Sequence, residues 1–297
     1  MAVARHASIG ALDSGPGVYR FRDAGGRVLY IGRAVNLRRR VSSYWGDLRG
    51  RRHLVRMVGQ IDRIEALTCD SEHEAAWLER NLHERSKPRW NRTAGGQEVP
   101  VYIRVDPSAG LKIAYTAGTR CFGPYLGAVK VRTAISALHR VLPLAYTGDR
   151  LTGSERDMAR IRGVIPADKA TILRTLEAVL AREPAAVAAH RDDLARRRDA
   201  AAEALAFEHA ARIQAEIEAI EWVCAPQRVT IDSGPDATVV GWADGMSVRF
   251  EIRRGRLDGW QQRPCRSAPT DVSTASTEWS AFAQRNAVLA ARLSGAS

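Results

Sequence analysis

Gly17-Val18-Tyr19-Arg20-Phe21-Arg22 and Val28-Leu29-Tyr30-Ile31-Gly32-Arg33 are the two runs that decide the fold of this chain. Both are rich in aromatic and β-branched residues, and Asp23-Ala24-Gly25-Gly26 between them carries turn chemistry, so a β-hairpin is predicted. Pairing Arg22 with Arg27 across a four-residue loop would set Tyr19 opposite Tyr30, two phenols side by side on one face. Taken alone, that pattern is satisfied by ordinary aromatic strand packing.

The flanking residues narrow the choice. Asn36 is a predicted N-cap, and a helix after it would place Leu37, Val41 and Tyr44 on one side, with Arg40 one turn before Tyr44. Residues 20–56 hold eleven arginines against two aspartates, nine of the chain's twelve net positive charges, which is the footprint of a phosphate-binding face. Arg38, Arg39, Arg49, Arg51 and Arg52 are its candidate DNA contacts. Ser71-x-x-Glu74 reads as a capping box opening a second helix, which Pro88 closes. Ala75, Leu78 and Leu82 form its apolar stripe, and Glu79 falls inside that stripe. An acid there is paired, protonated or bound to a cation. A structural Glu–Arg pair and a divalent-metal ligand both remain open on the residue pattern.

The ordered set Gly17-Val18-Tyr19, Tyr30-Ile31-Gly32, Asn36-Leu37 with Arg40, Tyr44, Glu79 in a helix, and Pro88-x-x-Asn91 resembles the GIY-YIG nuclease domain. The version it resembles is the one at the N-terminus of the UvrC repair endonucleases. The resemblance implies metal-dependent hydrolysis of a DNA phosphodiester, with Tyr19, Tyr30, Arg40, Tyr44 and Glu79 as the catalytic set. Gly32, Arg33, Asn36 and Asn91 would support the site; Arg33 stands where these proteins usually have Lys. Glu79 would hold Mg²⁺ or Mn²⁺, Tyr30 would take a proton from the attacking water, Tyr19 and Tyr44 would orient water and phosphate, and Arg40 would stabilise the extra charge at phosphorus.

The whole chain has 297 residues, room for two or three domains, with 45% hydrophobic and 26% charged residues and a pI of about 10.2. No run approaches the length of a membrane span, and the N-terminus lacks the apolar core of a signal peptide, so a cytoplasmic protein without membrane partners is expected. Cys69, Cys121, Cys224 and Cys265 are scattered with no Cys-x-x-Cys, and reduced thiols are expected. Many UvrC proteins carry a cysteine cluster just after the region matching Leu142-Pro143-Leu144. This chain has Ala145-Tyr146-Thr147-Gly148 there, so no iron–sulfur cluster is expected.

The expected fold class is α+β: a GIY-YIG domain over 12–95 (a small antiparallel sheet with flanking helices), a UvrC-like linker region over 96–185, a helical hairpin over 186–225, and a small β-rich region with a terminal helix over 226–297. Cys121-Phe122-Gly123-Pro124-Tyr125 resembles a further UvrC motif, and Leu205 to Ile220 resembles the UVR motif that mediates contact with UvrB. Phe207, Ala210, Ala211, Ile213, Ile217 and Ile220 are its candidate partner contacts. On periodicity alone the same stripe favours packing within the chain over a partner helix. Two strands flanking Ala243-Asp244-Gly245-Met246 and a last helix from Trp279 to Leu293 complete the chain, with no room left for the RNase H-like or helix-hairpin-helix parts of UvrC. The expected function is that of a short UvrC-like nuclease of the Cho kind, making one incision on the 3′ side of a lesion in double-stranded DNA with a UvrB-type helicase subunit. The alternatives are a non-cleaving adaptor for DNA and UvrB, and a nuclease acting on branched DNA or RNA without UvrB.

Overall fold

The computed structural model describes residues 9–46, 52–91, 98–148, 151–269 and 276–295. β1 (Gly17–Arg22) and β2 (Val28–Ala34) form the expected antiparallel hairpin, and β3 (Arg63–Thr68) joins the other side of β1, giving the order β2-β1-β3. The register differs from the expected one: Tyr19 lies opposite Gly32, and Tyr30 lies opposite Phe21. Two local features cause the slip. The Asp23 N–H donates to the Arg27 carbonyl at 3.0 Å, so the loop is three residues long, and it closes on Gly26 at φ +78°, a left-handed conformation that suits glycine. Leu29 is then an extra, bulged residue where the pairing shifts between Phe21 and Arg22. Together these move the register by two residues. Side chains alternate with a period of two, so Tyr19, Phe21, Tyr30 and Gly32 still share one face.

That face is covered by α1 (Leu37–Ser42) and α2 (Arg52–Val58), in a core of Phe21, Leu37, Val41, Leu54, Met57 and the Tyr19 and Tyr44 rings. Asn36 caps α1 as expected, its side chain accepting the Arg39 N–H at 2.9 Å. The helix stops at Ser42, short of Tyr44. The following turn nevertheless carries Tyr44 inward, where it is fully buried beside Leu37 and Val41.

The opposite sheet face, with Val18, Ile31 and Leu67, packs against Ala75, Leu78 and Leu82 of α3 (Glu72–Arg85). The same core takes in the C-terminal meander β7 (Ala237–Ala243), β8 (Met246–Arg253) and β9 (Arg256–Pro264), and α9 (Thr277–Gly295). Val239, Val248, Phe250, Trp260, Trp279 and Phe282 are continuous with Val18, Ile31 and Leu67. Contact clustering accordingly joins Met1–Glu98 and Pro226–Ser297 in one unit.

Polar contacts at several points tie the two segments of this unit together. Ser71 accepts the Glu74 N–H at 3.2 Å, which is half of the expected capping box. The Glu74 carboxylate does not return to Ser71. It accepts N–H groups from Asp70 at 2.8 Å and from Arg228 at 2.6 Å, because the chain entering the C-terminal segment crosses the start of α3. Behind β1, Arg20 is buried, ion-paired with Glu65, and stacked 3.9 Å over the Trp260 ring of β9. At the β3 edge, buried Asn286 of α9 accepts the Thr68 N–H at 2.8 Å and donates to the Thr68 carbonyl at 3.3 Å.

The second unit, Val99–Ala225, has its own core. Its sheet is β4 (Val101–Asp106), β5 (Gly110–Ala114) and β6 (Cys121–Tyr125), in the order β5-β4-β6. Around it lie α4 (Ala128–Val141), α5 (Gly153–Arg162), α6 (Lys169–Leu180), α7 (Pro184–Glu203) and α8 (Phe207–Val223). The hairpin α7–α8 shares one core with the preceding helices: Ile213, Ile217 and Ile220 pack with Val131, Leu138, Leu176 and Leu194. Ala210 is buried as well, so of the six expected partner contacts only Phe207 and Ala211 remain exposed. The physical reason is the apolar face of α4, which meets the isoleucine stripe within the chain. Among the described residues no helix is long and apolar enough to cross a membrane.

Candidate active site

Three phenols converge on the α1 side of the sheet. Tyr19 and Tyr44 share a hydrogen bond between their hydroxyls at 2.7 Å. The Tyr19–Tyr30, Tyr19–Tyr44 and Tyr30–Tyr44 ring centroids are 6.1, 5.9 and 5.9 Å apart. Phe21 meets Tyr44 edge-on at 5.0 Å and holds its ring from the side. Gly32 makes the space: a Cβ there would lie 2.6 Å from the Tyr19 hydroxyl and 2.8 Å from Tyr30 Cε1. Arg40 donates from Nε to the Tyr19 hydroxyl at 3.2 Å, and its guanidinium lies 5.4 Å from the Tyr44 ring centroid.

Burial raises the Tyr19 and Tyr44 hydroxyls well above the usual phenol range, despite the Arg40 charge beside Tyr19. Both therefore remain protonated hydrogen-bonding groups at physiological pH. Tyr30 is the half-buried phenol of the three, at the solvent side of the cluster.

Glu79 approaches from the other side of the β2 edge. Its Oε2 lies 3.4 Å from Arg33 Nε, and Arg33 also reaches Glu98 at 3.8 Å. Burial raises the Glu79 carboxyl above the usual carboxylate range, against the pull of Arg33, and Arg40 also acts on it through space. Arg40 thus feels both the phenol cluster and the carboxylate. Asn91 braces the same edge. Its Oδ1 accepts the Ile31 N–H at 3.0 Å and its Nδ2 donates to the Ile31 carbonyl at 2.7 Å, standing in for a missing neighbour strand.

All five expected catalytic residues, and the supporting Gly32, Arg33, Asn36 and Asn91, therefore lie on or beside the β1–β2–α1 edge and α3. Of the expected DNA contacts, Arg38 and Arg39 are exposed on α1, with Arg38 also donating to the Leu12 carbonyl at 2.8 Å. Arg52 opens α2, while Arg49 and Arg51 lie outside the described residues. Sequence reasoning passed over His83, one helical turn beyond Glu79. The i, i+4 spacing was the available signal, but the apolar stripe drew attention to Leu82 instead. A sheet with three clustered phenols, a guanidinium and one half-buried acid at its edge defines a nuclease domain of the GIY-YIG class.

The comparisons agree. Residues 15–92 match the profile of the UvrC-like GIY-YIG domain. Over 272 residues the chain is 34% identical to the UvrABC system protein C of Mycobacterium sp. (strain KMS), covering 84% of this chain and 40% of that protein. It is 32% identical to the Corynebacterium glutamicum (strain R) protein of the same name, over 84% of this chain and 39% of the other. The chain thus spans about two fifths of the length of these relatives. Among solved structures, the GIY-YIG N-terminal endonuclease domain of Thermotoga maritima UvrC, bound to magnesium as its catalytic divalent cation, is 31% identical. The match covers 30% of this chain and 94% of that domain, with a TM-score of 0.27. Residues 15–92 are thus matched by the UvrC-like GIY-YIG domain.

Proposed function

We propose that this chain is a divalent-metal-dependent endonuclease of nucleotide excision repair, acting in the cytoplasm on damaged double-stranded DNA together with a UvrB-type partner and making one incision, on the 3′ side of the lesion. The observation that supports it most directly is the hydrogen-bonded Arg40–Tyr19–Tyr44 cluster with Tyr30 beside it and Glu79 held beside Arg33 of the neighbouring strand.

The donor set fits a hard dication. Glu79 is raised by burial and only partly relieved by Arg33, so a cation has uncompensated charge to neutralise. Among the described residues no cluster of three or more His, Cys, Asp or Glu gathers, which suits an ion that keeps most of its water, as Mg²⁺ does. When bound, such an ion supplies Lewis-acid stabilisation of the phosphate and its leaving oxygen. The chain does the rest. Tyr30, the solvent-side phenol, gives its own proton to solvent and as phenolate takes the proton of the attacking water. Tyr19 and Tyr44, held protonated, orient water and phosphate by donation. Arg40 stabilises the added negative charge at phosphorus. Arg38 and Arg39 hold the backbone.

The test is a lesion-bearing duplex preloaded with a UvrB protein and incubated with the chain and Mg²⁺. A nick 3′ of the lesion that disappears in Glu79→Ala supports this function. UvrB-dependent retention of uncut DNA would show an adaptor instead. Cleavage of undamaged branched DNA without UvrB would show a different substrate.

A further inference from the structure

The sheet of the second unit packs Val101, Ile103 and Val105 inward and turns a basic face outward. On that face Arg104 of β4 lies directly across the ladder from Lys112 of β5, and both side chains are 55% exposed. Like charges in direct cross-strand register destabilise a sheet, so the pairing has a cost. Asp106 relieves it only in part. Its Oδ2 is 3.9 Å from Arg104 and 3.8 Å from Lys112, too far for a hydrogen bond to either. Its Oδ1 is taken up by the β4–β5 turn, accepting the Ser108 N–H at 2.9 Å, the Ser108 hydroxyl at 2.7 Å and the Ala109 N–H at 3.1 Å.

A third cation arrives on the loop from β5 to β6, which crosses β4 to reach its far side. There the Val105 N–H donates to the Arg120 carbonyl at 2.9 Å, and the Cys121 N–H donates to the Gly118 carbonyl at 3.2 Å. The second bond closes a turn whose third residue is Arg120, at φ +53°. That left-handed position normally falls to glycine or asparagine, because a larger side chain is strained there. Arg120 pairs through Nε with Glu177 of α6 at 3.1 Å and is still 41% exposed. Among the described residues, three cations thus share two acids. Arg104, Asp106, Thr116, Thr119 and Arg120 line a concavity of about 410 Å³. Tyr115, between the lining residues Ala114 and Thr116, is 64% exposed.

We propose that this concavity binds a backbone phosphate of single-stranded nucleic acid, with a neighbouring base stacked on Tyr115. A phosphate accepts from guanidinium forks and threonine hydroxyls together, and its charge offsets the Arg104–Lys112 repulsion. A basic groove beside an exposed ring is the combination that holds an unpaired strand. A paired base keeps its face inside the duplex stack, and a free phosphate ion makes no use of the ring. The site belongs to the second unit, so it stands or falls separately from the incision chemistry proposed above.

The experiment uses the full chain without added metal and a labelled oligothymidylate of about 12 nucleotides, followed by anisotropy across a salt series. A 5-iodouracil version of the same strand is expected to photocrosslink to Tyr115, located by mass spectrometry. Arg104→Gln/Lys112→Gln should lower the slope of log affinity against log salt by at least about 0.7, one phosphate contact on a single strand. Tyr115→Ala should weaken binding about fivefold or more, and Tyr115→Phe, which keeps the ring, by less than about twofold. These side chains are exposed, so thermal melts of the variants should match the parent. An unchanged salt slope overturns the phosphate contact; absence of the crosslink, or undiminished binding by Tyr115→Ala, overturns the stacking. Competitors are scored on the crosslink, which reports this site alone. Duplex DNA, inorganic phosphate or polyglutamate that removes it more effectively than unlabelled oligothymidylate would assign the site to that ligand and overturn the single-strand reading.

Discussion

Gly32 stands directly across the β1–β2 ladder from Tyr19, and its missing side chain is the space in which the Tyr19 and Tyr30 rings meet. Gly32→Ala would put a methyl group 2.6 Å from the Tyr19 hydroxyl. Neither ring can yield freely, because Tyr19 is locked to Tyr44 and Arg40. We expect a loss of about 1–3 kcal/mol in stability from overpacking. Nicking should fall at least about a hundredfold as the cluster loses alignment. Urea unfolding and nicking of a lesion-bearing duplex preloaded with UvrB, on the same preparation, check both; full nicking activity would refute the alignment argument.

Glu79→Gln should separate stability from activity. Burial lifts the folded carboxyl above its unfolded value of about 4.3, so the native state binds the proton more readily than the unfolded one. Stability linked to this group therefore rises as pH falls through the window between those two values, and at neutral pH the charged form is the disfavoured one. The amide removes that burden. Thermal melts should show Glu79→Gln at least as stable as the parent at pH 7, with the acid-side gain reduced and nicking abolished. A substantially lower melting temperature would mean the Arg33 pair outweighs the burial.

Asn286→Ala removes the amide that occupies the Thr68 N–H and carbonyl. Both groups lie at the inner end of an edge strand, and losing the partner of a buried donor costs about 1–3 kcal/mol. The full chain should unfold at lower urea, and exchange of the Thr68 amide hydrogen should accelerate more than that of β1 amides. Uniform acceleration across the sheet would argue against a local clamp.

Arg20→Met tests the junction behind the catalytic hairpin. Glu65 keeps Arg22 at 2.8 Å and Arg63 at 3.3 Å, so its charge is not orphaned. The loss should therefore fall at or below the low end of the range for broken buried pairs, about 3 kcal/mol. Denaturant titration measures it, and Trp260→Leu should produce a loss of similar sign through the same stack.

Phe207 and Ile213 lie on the same helix and should behave oppositely. Phe207 is 65% exposed, and Phe207→Ala should leave the melting temperature within about a degree while weakening capture of a UvrB-type partner. Ile213 is buried in the chain's own core, and Ile213→Ala should cost about 2–5 kcal/mol. Equal partner affinity for the parent and Phe207→Ala would remove the exposed end of α8 from the binding surface.

The sequence alone was enough for the elements whose signals are local. The hairpin, the Asn36 cap, the α3 stripe and the Asp244-Gly245 turn between β7 and β8 rest on patterns a few residues long. The candidate catalytic residues could be named because their types and order resemble those of one known domain. The pairing of Tyr19 with Gly32 depended on the three-residue loop and on the bulged Leu29, neither of which alternation marks. The partners of Arg20, Glu74 and Thr68 come from Trp260, Arg228 and Asn286, more than 150 residues away, where no periodicity links them. Likewise the α8 stripe on periodicity alone favoured packing within the chain, the resemblance favoured a partner helix, and only the tertiary structure showed α4 against it. Short-range patterning fixes which face of an element is apolar; which other face covers it is settled by the whole chain competing for burial at once.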